Sequence, residues 1–234
     1  MTPTGGAPAV DRRGLGATPV ADDPLARRLL QRAQGAMQKW PEGFRGFQAR
    51  LRCRDEAGAI GGEARVFAGG RVESTLPPGP LTTWAEASLR SLARARTPGF
   101  FKDGDGRFPI TLDPDDAHPR GRRVRVHADD PGARAYRIDA KGRLGLEERH
   151  ESGRRWVVVT YDEFVRTCPG RYLPARLRIF TWDLAADTLV ESADIEDATC
   201  RVDHVWLPAR RRAVLARGLA RRALVLELDG HTLL

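Results

Sequence analysis

Three cysteines in 234 residues, Cys53, Cys168 and Cys200, are too few and too widely spaced for a disulfide framework or a zinc knuckle, and no C-x-x-C pair occurs. Cys53 and Cys200 fall in phase with apolar strand positions, which predicts buried, reduced thiols and a cytoplasmic protein. Lysine is nearly missing too: it stands only at Lys39, Lys102 and Lys141, so almost all of the 39 basic residues are arginine. The net charge of +8 is therefore read first as an arginine-rich solvated exterior and only second as an anion-binding face. No run approaches the ~20 apolar residues of a membrane span, and residues 1–20 lack the apolar stretch of a signal peptide. G-x-S-x-G, Walker and dinucleotide fingerprints are absent, and no serine, histidine and aspartate share a spacing that suggests a triad. Neither a cofactor nor a metal ion is expected.

What the chain does have is alternation. Trp156 to Tyr161, Leu173-x-Ala175-x-Leu177-x-Ile179, Val205-x-Leu207-x-Ala209 and Leu224-x-Leu226-x-Leu228 place apolar residues at period two, the mark of strands with one buried and one wet face. Strands are predicted over 47–53, 64–68 and 72–76, then over 122–127, 133–139, 143–150, 154–162, 171–182, 188–202, 205–216 and 221–229. In 188–202 the apolar parity switches from Ala193 and Ile195 to Ala198, Cys200 and Val202, which predicts a β-bulge near Glu196-Asp197. Two segments carry helical spacing instead. Asp22-Asp23-Pro24 is a carboxylate cap followed by proline at the first helical position, and Leu25, Leu29, Leu30, Ala33 and Met37 continue the stripe to Lys39 or Trp40. The second helix is expected from Thr82 or Thr83, with Thr83-x-x-Glu86 as a capping box, to Ala95. The fold class is thus α+β: a disordered tail over 1–21, then a single domain over 22–230 in which a curved antiparallel meander of about ten or eleven strands, half-barrel-like, wraps two helices.

The irregular stretch between Arg96 and Arg122 contains Asp103-Gly104-Asp105-Gly106-Arg107-Phe108-Pro109 and Asp115-Asp116-Ala117-His118-Pro119-Arg120-Gly121-Arg122. These runs closely resemble a domain-of-unknown-function family described mainly from photosynthetic bacteria and plastids. Trp40-x-x-Gly43-Phe44-x-Gly46-Phe47, Ala135-Tyr136-Arg137-Ile138, Tyr172-Leu173-Pro174 and Trp206-Leu207-Pro208 extend the resemblance over residues 24–218. The family has no established activity, so the resemblance implies a fold and no catalytic residues. More distantly, the helix-then-sheet order and Val205-Trp206-Leu207-Pro208 are similar to the periplasmic lipoprotein carriers, which implies an open half-barrel with an apolar concavity.

Two constellations merit weighing. Asp113, Asp115, Asp116 and His118 form the one acidic and histidine cluster; Asp115, Asp116 and His118 are the candidates for general-base or metal chemistry, against a reading as consecutive Asx and proline turns. Asp103-Gly104-Asp105-Gly106 is read as a turn, because Arg107 occupies the third ligand position a calcium loop needs. Trp84 and Leu89 on the second helix, with Tyr136, Trp156, Phe180 and Trp182 on strands, are the candidates to line a cavity, against a reading as plain core. The leading expectation is a soluble, non-enzymatic protein that binds an apolar small molecule, acyl chain or partner segment in that cavity. An enzyme on the Asp113–Arg120 loop is the second. An electrostatic binder of RNA or anionic lipid, using Arg50/Arg52/Arg54, Arg123/Arg125, Arg176/Arg178 and Arg210/Arg211/Arg212, is the third; nucleic acid is disfavoured because no exposed aromatics interleave the arginines.

Overall fold

The computed structural model describes residues 20–114, 117–128, 133–151 and 155–234. The first helix, α1 (Pro24–Gly35), starts where the cap and proline place it: the Asp23 carboxylate accepts from the backbone N–H groups of Leu25 and Ala26. It ends four or five residues earlier than its apolar stripe suggests. Ala36 and Gln38 pair with Tyr172 instead, by Tyr172 N to Ala36 O at 3.0 Å and Gln38 N to Tyr172 O at 2.8 Å, so a strand-like bridge replaces the last turn.

Strands β1 (Gly46–Arg54), β2 (Ala59–Phe67) and β3 (Val72–Ser74) precede the second helix, α2 (Pro80–Arg96). That helix begins at Pro80, and the expected capping box does not form. Thr83 Oγ1 turns back to the Gly79 carbonyl and Glu86 accepts from Ser74 Oγ, tying the helix to β3. Two 3₁₀ turns, Phe101–Asp103 and Asp105–Arg107, order the long loop. A strand missed in the sequence, β4 (Ile110–Leu112), follows, then β5 (Arg122–Val126), β6 (Arg134–Ile138), β7 (Leu144–Glu151), β8 (Arg155–Cys168), β9 (Arg171–Asp183), β10 (Thr188–Val202), β11 (Val205–Arg217) and β12 (Ala220–Leu233). The expected tail lies mostly outside the described residues. The last strand runs past residue 230 because Leu233 pairs with Phe47.

All twelve strands form one open antiparallel sheet in the order β3-β2-β1-β12-β11-β10-β9-β8-β7-β6-β5-β4, one or two strands more than expected. Strands β4 to β12 are an uninterrupted meander, and the first three join it because β1 pairs with β12. The register of β10 against β11 shifts between Ala198 and Thr199, slightly beyond the predicted bulge. Across that shift the helix-facing residues of β10 change from Ala193, Ile195 and Asp197 to Cys200 and Val202.

Both helices pack on one face. Around α1, Ala26, Leu30 and Ala33 meet Ile110, Val124, Tyr136 and Ile138. Around α2, Ala85, Leu89 and Ala93 meet Phe47, Leu51, Cys53, Leu207 and Leu226. Twelve strands at ~4.8 Å spacing make a sheet on the order of 50 Å wide, whereas a helix with its side chains is ~10–12 Å across. The two helices sit toward opposite ends and leave β8 to β10 without a helix of their own. That uncovered middle positions the site.

Candidate functional site: a cleft between the helices and the sheet

Antiparallel partners directly opposite one another share a face, so the pairing ladder fixes which residues look toward the helices. Tyr136 faces Glu147, Glu147 faces Val159, Val159 faces Ile179 and Ile179 faces Ala193. Of these inward residues, Glu147, Val159 and Ile179, with Tyr161, Leu173, Leu177 and Ile195, floor a cleft of about 210 Å³. Leu92, Ala95 and Arg96 on the last turns of α2 form one wall, and Met37 and Gln38 another. Ser91 and Ala95 are exposed, so the cleft opens beside α2.

The cleft has an ionic end. The Arg211 guanidinium donates to both oxygens of Asp197 at 2.7 Å, with both side chains nearly buried. Sequence register alone puts Arg211 among the wet basic residues; its alternation with Ala213 points it inward, and the strand opposite supplies the carboxylate. Arg149 donates to Glu147 at 3.3 Å, and Tyr161 Oη donates to the other oxygen of Glu147 at 3.2 Å. Arg96 is 5% exposed, and burial pushes its guanidinium down to about 10. Burial also lowers Lys39, with Arg96 nearby as the second cause.

The six residues expected to line a cavity do not converge. Trp84 is half-buried between the α2 core and the Ala193, Ile195 and Ala213 cluster. Leu89 is fully buried in the α2 core and Tyr136 in the α1 core, neither on the cleft. Trp156, Phe180 and Trp182 lie on the opposite, convex face: Trp156 is paired with Trp182 and Val158 with Phe180, one residue out of phase with the inward Val157, Val159 and Ile179. Strand parity makes this a necessity, because Val157 and Val159 are buried and their sequence neighbours must point the other way. Trp156 borders a shallow polar depression with Arg125, His127, Glu148 and His150.

Asp115 and Asp116 lie outside the described residues. Their neighbour His118 is exposed, and its Nδ1 accepts from the Arg120 backbone N–H at 3.1 Å, as a turn requires. Asp113 takes Arg125 at 2.6 Å and also Arg123. Among the described residues no group of three His, Cys, Asp or Glu side chains could hold a metal. Cys200 Sγ and His231 Nδ1 come within 3.8 Å, but burial pushes the Cys200 thiol up, away from the nucleophilic thiolate. Cys53 is pushed up to about 11 for the same reason. The arginines of the convex face are interleaved with carboxylates: Arg178 with Asp162 at 2.8 Å, Arg176 with Asp194 at 3.0 Å and Arg50 with Asp229 at 2.5 Å. Exposed pairs of this kind stabilise little.

The signal that sequence reasoning misses is Asp105. It is 5% exposed and gathers three partners: Gln34 Nε2 at 2.7 Å, Tyr136 Oη at 2.7 Å and Arg134 Nη1 at 3.0 Å. It joins a loop turn, α1 and β6 in one knot. The turn reading of Asp103-Gly104-Asp105-Gly106 is right locally and silent about this.

All three tyrosines, Tyr136, Tyr161 and Tyr172, are held above the ordinary value of 10.0, with burial the largest cause. The folded chain therefore keeps phenolic protons that the unfolded chain loses, so their contribution to stability is intact below about pH 9 and declines as pH rises past 10. Absorbance at 295 nm and near-ultraviolet circular dichroism should change together in one alkaline transition. Phenolates appearing near pH 10 with the native dichroism intact would contradict this.

The fold and cleft define an open, single-sheet α+β half-barrel whose helices only partly fill its concave face. The chain belongs to the family described as a protein of unknown function, DUF3386, whose profile matches residues 21–226. Among solved structures, it is similar to a domain assigned to outer membrane lipoprotein sorting from Vibrio parahaemolyticus, at 10% identity and a TM-score of 0.34, covering 88% of this chain and 91% of that one. It is also similar to a chain of the Pseudomonas aeruginosa MucA/MucB complex, at 13% identity and a TM-score of 0.25, covering 88% and 94%. No curated protein matches in sequence.

Proposed function

We propose that this protein is a non-enzymatic binder of an apolar small molecule or acyl chain, held in the cleft between α2 and strands β8 to β10. The observation that carries the reading is the cleft itself: Leu92, Val159, Leu173, Leu177, Ile179 and Ile195 converge on a space of about 210 Å³ that the two helices leave unfilled. That volume lies between the ~150 Å³ of a cavity that takes benzene and the ~300 Å³ at which drug-sized sites begin. It suits a short chain, or part of a longer one that emerges beside Ser91 and Ala95. Inert, high-pKa thiols at Cys53 and Cys200 are in keeping with a cytoplasmic setting, which forms part of the proposal.

Ala95→Trp tests the reading, because Ala95 is exposed at the cleft mouth and a large side chain there can fill the space without disturbing the α2 core. A neutral probe, 1-decanol, should bind the wild-type protein in a calorimetric titration. The substitution should weaken it about tenfold or more, as occlusion of a desolvated site would. Trp156→Ala and Trp182→Ala, on the convex face, should leave it unchanged. Loss of binding in the convex-face variants and not in Ala95→Trp would move the site to the other side of the sheet and overturn the proposal.

A further inference from the structure

Five charged side chains line the cleft: Arg96, Arg149 and Arg211 against Glu147 and Asp197. Two of the three arginines are matched, Arg211 by Asp197 and Arg149 by Glu147. Arg96 is the remaining cation. It ends α2, is 5% exposed, and forms no ion pair among the described residues. The one hydrogen bond its guanidinium makes among them runs from Nη1 to the Trp206 carbonyl at 3.1 Å, and that oxygen already accepts from the Trp40 indole at the same distance. A guanidinium carries five N–H donors in a planar fork. Burying one beside an apolar cleft with a single shared acceptor is costly, and the carboxylate that favours its charge, Asp197, is already held through both oxygens by Arg211.

We infer that the cleft takes an amphipathic monoanion, a medium-length fatty carboxylate, with its carboxylate seated on the Arg96 guanidinium and its chain along Leu92, Leu177, Ile179 and Ile195. This rests on the cleft being a binding site, as proposed above. The carboxylate is preferred over a phosphate monoester because one cation is unmatched, and a monoester carries about 1.5 to 2 negative charges at neutral pH. The planar fork also meets a carboxylate through two parallel N–H···O bonds. Arg96 would then serve two ends at once, fixing α2 to β11 through Trp206 and holding the ligand.

The test compares decanoate with 1-decanol on the full chain by calorimetric titration at fixed ionic strength. Decanoate should bind the wild type about tenfold to a hundredfold more tightly than decanol, the range expected for a desolvated charge-assisted pair. Arg96→Met keeps an apolar stem and should bring that ratio close to one; Arg96→Lys should keep part of the preference. A merely structural arginine would lower thermal stability in both variants without changing the ratio. Equal binding of decanoate and decanol by the wild type overturns the anion seat and leaves the apolar site standing, and binding of neither overturns both. Decyl phosphate binding more tightly than decanoate overturns the choice of a monoanion. If Arg96→Met does not fold, the wild-type ratio still decides.

Discussion

Gly121→Ala should destabilise the domain by about 3–5 kcal/mol, the sum of a left-handed backbone penalty and a steric clash that cannot relax. Gly121 sits at φ +91°, and a Cβ there would lie 1.9 Å from the Ile138 carbonyl oxygen and 2.7 Å from the Asp139 Cα. Both contacts are backbone, held by the pairing of Arg122 with Ile138 that opens the β5–β6 ladder. The Gly121 carbonyl in turn accepts from Arg137 Nη1 at 3.1 Å, so moving the turn aside breaks a second anchor. Gly142→Ala provides the control. Gly142 is also left-handed, at φ +74°, but a Cβ there would meet nothing within 4 Å. It should lose only about 1–2 kcal/mol from backbone strain. Urea unfolding of both variants, with unchanged m-values, checks the difference, and equal losses would mean that the close approach at Gly121 does not govern the fold.

Asp105→Ala should cost about 3 kcal/mol, because it strips a shared acceptor from three donors at once and leaves a buried phenol unanswered. For a domain of this size that corresponds to a fall of roughly 6–12 °C in the melting midpoint. Tyr136 Oη is the partner that cannot reach water, being in a side chain only 4% exposed. Asp105→Ala combined with Tyr136→Phe should therefore lose less than the sum of the two single substitutions, since removing both partners leaves no buried hydroxyl orphaned. Strict additivity in that thermodynamic cycle would mean that the two groups do not cooperate and that the knot is incidental. Decanol binding should survive in either variant at temperatures where it remains folded, because neither Asp105 nor Tyr136 borders the cleft.

The arrangement of elements was largely legible. Period-two spacing located nearly every long strand, and Asp23 with Pro24 marked the first helix start, because caps and alternation are local properties of the chain. The parity switch in β10 revealed its bulge to within two residues for the same reason. The failures have a common cause. The α1 stripe continues through Met37, yet Ala36 and Gln38 bond to Tyr172, more than a hundred residues away. Glu86 leaves its expected capping role for Ser74 on another element. The short β4 strand carries too few residues for periodicity and exists because β5 pairs with it.

The candidate site was harder to read. Aromatic size suggested Trp156, Phe180 and Trp182, but which face of a strand is inward depends on the register of its neighbours, and Val157, Val159 and Ile179 won that face. Arg96 and Arg211 read as ordinary members of an arginine-rich chain until the fold buried them.

The sequence by itself determined that this protein is an antiparallel sheet with two amphipathic helices, since alternation, caps and turn residues act between near neighbours. Only the tertiary structure decided where those helices leave the sheet bare, which side the tryptophans face, and that Arg96, one arginine among so many, is enclosed with no ion pair of its own among the described residues. Those outcomes depend on strand register and on burial, and both are set by residues far apart in the chain.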